Sequence, residues 1–188
     1  QNYLNMKLKQ RIAKGLIKLL GWKSEDKFPE IKHCVVAVAP HTSNWDFVYG
    51  KLTSMAVGRK SHFLIKSDWF FFPMNYFFKW VGGIPVYRKK KNNSMTDKVA
   101  QYFKEKKELC LAITPEGTRK ANPDWKKGFY YIAKKANVPI LLSYIDYAKK
   151  KACIAEKFIP TGDEVADIQY IKNFFKNISG KIPANFAI

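Results

Sequence analysis

Two short runs constrain this chain more than anything else in it. Val35–Ala39 and Leu109–Ile113 are apolar at every position. A strand with one wet face alternates apolar and polar residues. A run without alternation is buried on both faces, as in a parallel sheet covered by helices. Each run is followed at once by a polar stretch of unusual make-up. Pro40-His41-Thr42-Ser43-Asn44-Trp45-Asp46-Phe47 follows the first, and Thr114-Pro115-Glu116-Gly117-Thr118-Arg119 follows the second. Ligand sites in such sheets lie beyond the strand ends, so both stretches are site candidates.

The remaining elements complete the alternation. A helix is predicted over residues 4–20, then a polar loop over 23–32 containing Pro29, and a strand over 33–39. A helix over 44–57 stops at Gly58-Arg59-Lys60, and a strand covers 62–66. Gly82 and Gly83 make a tight turn into a strand ending at Arg88. A helix over 92–107, with Ser94 as a cap, turns Val99, Tyr102 and Phe103 inward. A helix over 129–136, a strand over 138–147 and a short returning strand over 152–155 follow. The last helix, 167–178, points Ile168, Ile171, Phe174, Phe175 and Ile178 inward. The expected fold is a single α/β domain of 188 residues. Its mostly parallel central sheet is flanked by helices, with an N-terminal amphipathic helix and a C-terminal antiparallel addition. Residues 1–22 form a membrane-association helix in this reading, and residues 23–188 the α/β domain.

Lysine and arginine number 34 against 15 acidic residues, a net charge of +19. Such an excess predicts an anionic partner: nucleic acid, anionic lipid or a phosphorylated substrate. Leu4, Leu8, Ile12, Leu16 and Leu19 share one face of the first helix, and Lys7, Arg11, Lys14 and Lys18 the opposite face. Two roles fit this pattern equally, a helix lying in the membrane interface and a surface helix packing its leucines on the core. The segment Trp69–Trp80 is the most aromatic of the chain. Any single ring there suits the core. The cluster as a whole favours an apolar groove or a membrane face. No apolar run is long enough to cross a bilayer. Cys34, Cys110 and Cys153 lie in apolar surroundings and read as free thiols of a reducing compartment. No metal site is expected, because none of them has ligand spacing with His33, His41 or His62. His33 and His62 are read as lying outside the site. The chain begins at Gln1, so a preceding segment is expected.

His41 stands at a strand end with Asp46 about one and a half helical turns on. A neutral imidazole takes a proton near pH 7, and a carboxylate beside it holds the useful tautomer. Ser43 and Asp46 also fit a capping box, in which Asp46 only closes the helix start. Arg119 offers a fork for phosphate, and Gly117 permits an unusual backbone angle.

These stretches fall in a recognisable order. His41-x-x-x-x-Asp46, Gly83-Ile84-Pro85-Val86-Tyr87-Arg88, Pro115-Glu116-Gly117-Thr118-Arg119 and Val138-Pro139-Ile140 resemble the four motifs of the glycerolipid acyltransferases, above all the bacterial 1-acylglycerol-3-phosphate acyltransferases. The resemblance covers roughly residues 33–147. It implies that His41 is a general base supported by Asp46. An acceptor hydroxyl then attacks the thioester of an acyl-CoA or acyl-carrier protein directly, without an acyl-enzyme and without a cofactor. It assigns Arg88 and Arg119 to the acceptor's phosphate, and Glu116, Gly117 and Thr118 to the acceptor pocket. Pro85 and Tyr87 depart from the commonest second motif. The acceptor therefore stays open among lysophosphatidate, other lysophospholipids and aminoacyl lipid precursors. Oxyanion donors are expected among backbone N–H groups at the start of the helix carrying Asp46. Peripheral attachment to the cytoplasmic face of an anionic membrane accounts for the charge. The alternative is a basic, non-enzymatic binder of lipid or nucleic acid. Nucleic acid is the less expected partner, because the aromatic residues cluster apart from the basic ones.

Overall fold

The computed structural model describes residues 2–86 and 95–188, with side chains from residue 8 onward. The strands are β1 (Lys23–Asp26), β2 (His33–Val38), β3 (Ser61–Lys66), β4 (Gly83–Val86), β5 (Leu109–Ile113), β6 (Ile140–Asp146) and β7 (Lys151–Phe158). The helices are α1 (Asn2–Leu19), α2 (Trp45–Val57), α3 (Met74–Trp80), α4 (Met95–Glu105), α5 (Gly128–Ala136) and α6 (Glu164–Phe175). One sheet runs in the order β1-β7-β6-β2-β5-β3-β4. All its pairs are parallel except β6 with β7. The two wholly apolar runs are neighbours near its middle: Val35 faces Leu111, and Ala37 faces Ile113.

The two faces of the sheet are packed differently. Val35, Ala37, Leu109, Leu111, Ile140 and Leu142 point to one side. There they meet Val99 and Phe103 of α4, Phe129 and Ile132 of α5, and Ile168, Ile171 and Phe175 of α6 in one dense core. Cys34, Val36, Cys110, Leu141 and Ile154 point to the other side, the side that α2 covers. Helix α2 stops where Gly58 turns left-handed, at φ 80°, and the N–H groups of Gly58 and Arg59 close on Met55 and Ser54.

One expectation needs correction, and one of two open alternatives is not met. The 23–32 stretch is not wholly loop: Lys23–Asp26 forms the edge strand β1, parallel to β7. Its sequence, Lys-Ser-Glu-Asp, carries no strand pattern, because an edge strand is fixed by backbone pairing more than by side-chain burial. The leucine stripe of α1 does not pack on the core. Leu8, Ile12, Leu16 and Leu19 are exposed, whereas Ala13, Ile17 and the following Trp22 are buried against α2. Small Ala13 and Ala56 lie in the contact between the two helices, and the leucines fall on the other side of α1. The Leu4 side chain, the Ser94 cap and the basic run Arg88–Lys91 lie outside the described residues. Among the described residues, no helix is long and apolar enough to cross a membrane.

Candidate active site

Strand β2 ends at Val38. The chain turns through Pro40 and His41 and enters α2 with Asp46 in its first turn. One carboxylate oxygen of Asp46, Oδ2, accepts the N–H groups of Thr42 and Ser43, both at 2.8 Å, and faces His41 Nδ1 at 3.2 Å. Its other oxygen, Oδ1, accepts the hydroxyl of Tyr147 at 2.7 Å. Burial pulls the Asp46 carboxyl upward. The bonds from His41, Tyr147, Ser43 and Thr42 outweigh it and hold the group below the usual carboxylate range. The helix-capping and histidine-supporting roles weighed for Asp46 are thus one arrangement. A carboxylate can only accept, so His41 carries its proton on Nδ1 and leaves the Nε2 lone pair free.

Strand β5 lies beside β2, so the loop after it reaches the same end of the sheet. Glu116 in that loop is fully buried, and its Oε1 accepts the backbone N–H of His41 at 2.6 Å. Burial pushes its carboxyl up to about 7, against the lowering effect of the His41 bond. Its Oε2 is buried without a partner among the described residues. Gly117 takes φ 68°, and a Cβ there would lie 3.0 Å from Lys126 Cγ. Asn122 Nδ2 braces the same turn through the carbonyl of Glu116. Thr118 is half-buried, with its hydroxyl accepting Lys120 N–H. Arg119 is exposed and forms no ion pair with a described residue. The structure therefore brings His41, Asp46 and Glu116 into direct contact and places Gly117, Thr118 and Arg119 on the adjoining loop. Arg88 lies outside the described residues.

His41 and Asp46 line a cavity of about 400 Å³ between α2 and the sheet. Val36, Val38, Phe63, Leu64, Ile113 and Ile145 supply apolar walls, and α2 turns Gly50, Lys51, Thr53 and Ser54 toward it. Small residues on this face of the helix leave the space unfilled. The far end meets Arg59, whose guanidinium pairs with buried Asp26 at 2.7 Å and approaches Cys110 Sγ at 3.1 Å. Lys51 Nζ reaches the carbonyl of Ser61, and burial lowers its pKa.

Of the backbone donors at the start of α2, Thr42 and Ser43 are committed to Asp46. Trp45 N–H goes to Ser43 Oγ, and Asp46 N–H to the carbonyl of Ser43. Asn44 N–H has no acceptor among the described residues, and Asn44 lines the cavity. Tyr147 was not singled out from the sequence. It lies 101 residues from Asp46, and only the pairing of β6 beside β2 brings the two together.

Residues 21–146, well over half of the chain, match the family described as Acyltransferase. The chain belongs to the acyltransferase family. The expectation drawn from the four motifs is met at that level. No curated protein matches the chain in sequence. Among solved structures, the fold of this acyltransferase is similar to PlsC, the 1-acyl-sn-glycerophosphate acyltransferase from Thermotoga maritima. The TM-score is 0.60 at 19% identity, over 91% of this chain and 76% of that one.

Proposed function

We propose that this acyltransferase moves a fatty acyl group from an acyl-CoA or acyl-carrier-protein thioester to the hydroxyl of a lysophospholipid such as 1-acylglycerol-3-phosphate. The observation that carries the reading is a histidine–carboxylate pair at a mostly apolar cavity of about 400 Å³. That volume is in the range of small-ligand pockets. The acyl chain occupies the cavity, and its carbonyl stands at the His41 end. His41 Nε2 takes the proton of the acceptor hydroxyl as the oxygen attacks the thioester carbonyl. The tetrahedral oxyanion is met by Asn44 N–H at the positive end of α2. Collapse expels the thiolate, which takes the proton from the His41 imidazolium. Asp46 stabilises that cation and fixes the ring. No acyl-enzyme and no cofactor is needed. Gly117 and Thr118 shape the acceptor pocket, Glu116 acts on it through the His41 backbone, and Arg119, together with Arg88, grips the phosphate.

The membrane reading rests on surface chemistry. Leu8, Ile12, Leu16 and Leu19 of α1 are exposed beside lysines and arginines, and Phe72 and Trp80 are about three-quarters exposed, at 79% and 73%. Residues 1–22 lie in the interface of an anionic leaflet, on the cytoplasmic face, and the net charge serves lipid and CoA instead of nucleic acid. Thiol release from palmitoyl-CoA with a panel of lysolipids tests the activity. Release that depends on lysophosphatidate and vanishes in His41→Ala is expected. Undiminished transfer by that variant refutes the assignment. Flotation on vesicles containing phosphatidylglycerol tests the attachment. Leu8, Ile12 and Leu16 replaced together by Gln are expected to lower it severalfold, and unchanged flotation counts against the helix.

A further inference from the structure

The chain beyond α6 is not a loose end. The carbonyl of Ser179 accepts the N–H of Tyr147, the residue whose hydroxyl holds Asp46. Ile182 N–H donates to Thr42 Oγ1 at 3.2 Å. Lys181 Nζ stands 4.8 Å over the ring of Trp45, the first residue of α2. Farther along, the carbonyl of Ala187 accepts the indole N–H of Trp125 on the loop after β5. Between these anchors Gly180 presses on the turn that carries His41. A Cβ at Gly180 would stand 2.8 Å from both Thr42 Oγ1 and Cγ2 and 3.2 Å from Pro40 Cβ. Its φ lies outside the left-handed region, so glycine is required there by space and not by backbone angle.

Thr42 is the residue this segment grips. It is nearly fully buried, and its own N–H is one of the two backbone donors to Asp46 Oδ2. We infer that residues 179–182, centred on Gly180, are a positioning segment for catalysis. They clamp Thr42 from behind, and Thr42 sets the distance between His41 and Asp46. This inference rests on the proposed acyl transfer for its kinetic consequence, but the clamp itself has a readout independent of activity. No residue of the segment touches substrate in this account. Its effect passes through Thr42 to the imidazole, so it belongs in kcat and not in KM.

The test is Gly180→Ala. Its methyl group displaces Thr42 by a few tenths of an ångström or more, because the neighbouring Pro40 ring cannot yield. With acyl-CoA and lysophosphatidate, kcat is expected to fall at least about tenfold, with KM for both substrates within about twofold of the original. In the same variant, amide hydrogen exchange at Thr42 and Ser43 is expected to quicken while that of β2 is unchanged. Thr42→Ser, which removes the Cγ2 methyl, is expected to restore part of kcat when combined with Gly180→Ala. Gly128→Ala, where a Cβ meets nothing within 4 Å, serves as the control and is expected to leave kcat unchanged. Should Gly180→Ala not fold, Thr42→Val carries the same expectations, since it keeps the volume and removes the oxygen that Ile182 uses. Unchanged kcat and unchanged exchange at Thr42 and Ser43 overturn the inference. Faster exchange in a protein that transfers no acyl group to any acceptor upholds the clamp and refutes the proposed reaction instead.

Discussion

The carboxylate at the start of α2 and the one reached from just past its end lie under the same cover. The side chains of Asp46 and Asp26 are each 3% exposed. Each faces a basic group, and both basic groups line the same cavity. The difference is in what the partner has left over. Arg59 spends its donors on Asp26, on the carbonyls of Ile31 and Phe28 and on Cys110. It is 5% exposed and remains charged at any working pH. His41 is 22% exposed, uses one ring nitrogen on Asp46 and keeps the other. Burial of a charge pair therefore says little about function by itself. A pair whose base retains an unspent site at a cavity can do chemistry, and a saturated pair closes the cavity.

The sharpest way to break that contrast is at the open end. His41→Ala is expected to lower kcat by about 10³-fold with little change in melting temperature, read from thiol release and circular dichroism on the same sample. Loss of the fold instead would make the two pairs alike. Arg59→Met should do the reverse. It leaves Asp26 buried and unpaired, which costs about 3 kcal/mol or more. Chemical denaturation should show that loss, while the folded fraction still turns over. A third experiment asks whether Glu116 behaves as the neutral group its burial implies. Its carboxyl is pushed up to about 7 from an unperturbed value of 4.5. A raised acid favours the folded state below its unfolded pKa, and that contribution is lost as pH rises through the folded value. Glu116→Gln does not titrate, so its stability relative to the original protein should climb by up to about 3 kcal/mol between pH 4.5 and 7.5. A flat difference would show that burial does not raise the Glu116 carboxyl. The smallest effect belongs to Tyr147→Phe, which removes one bond to Asp46 and should cost about 1–2 kcal/mol at neutral pH. That cost should shrink in acid as Asp46 protonates, because a carboxyl with a lowered pKa stabilises only while it is ionised.

Much of this frame was legible in the sequence, and for a common reason. Val35–Ala39 and Leu109–Ile113 announce a buried parallel sheet because local composition and tertiary position agree there. His41 and Asp46 are five residues apart, so local geometry alone puts them within reach. The inward faces of α4 and α6 follow from helical period. What stayed hidden depends on strand adjacency. Glu116 meets His41 only because β5 lies beside β2, and Tyr147 meets Asp46 only because β6 does. Gly180 gave no signal, since a glycine three residues before a proline reads as a turn. Strand β1 was missed because Lys-Ser-Glu-Asp has no apolar alternation, and its partners, Lys151 beside Glu25 among them, lie far along the chain on β7. Whether the leucines of α1 meet the core stayed open in the sequence; burial of Ala13 and Ile17 leaves Leu8, Ile12, Leu16 and Leu19 outside.

One contact made by that helix has a practical consequence. Trp22, just beyond α1, stacks on Tyr49 at 4.1 Å and meets Tyr147 edge-on at 5.0 Å. Trp22 and Tyr49 thus connect the end of the leucine-bearing helix to the Tyr147 phenol that steadies Asp46. Cutting the chain after Trp22 would remove the proposed lipid-binding face and this ring stack in one stroke, so a loss of turnover in such a variant could not be assigned to either. Changing the outward leucines one by one, with the indole left in its stack, separates adhesion from turnover.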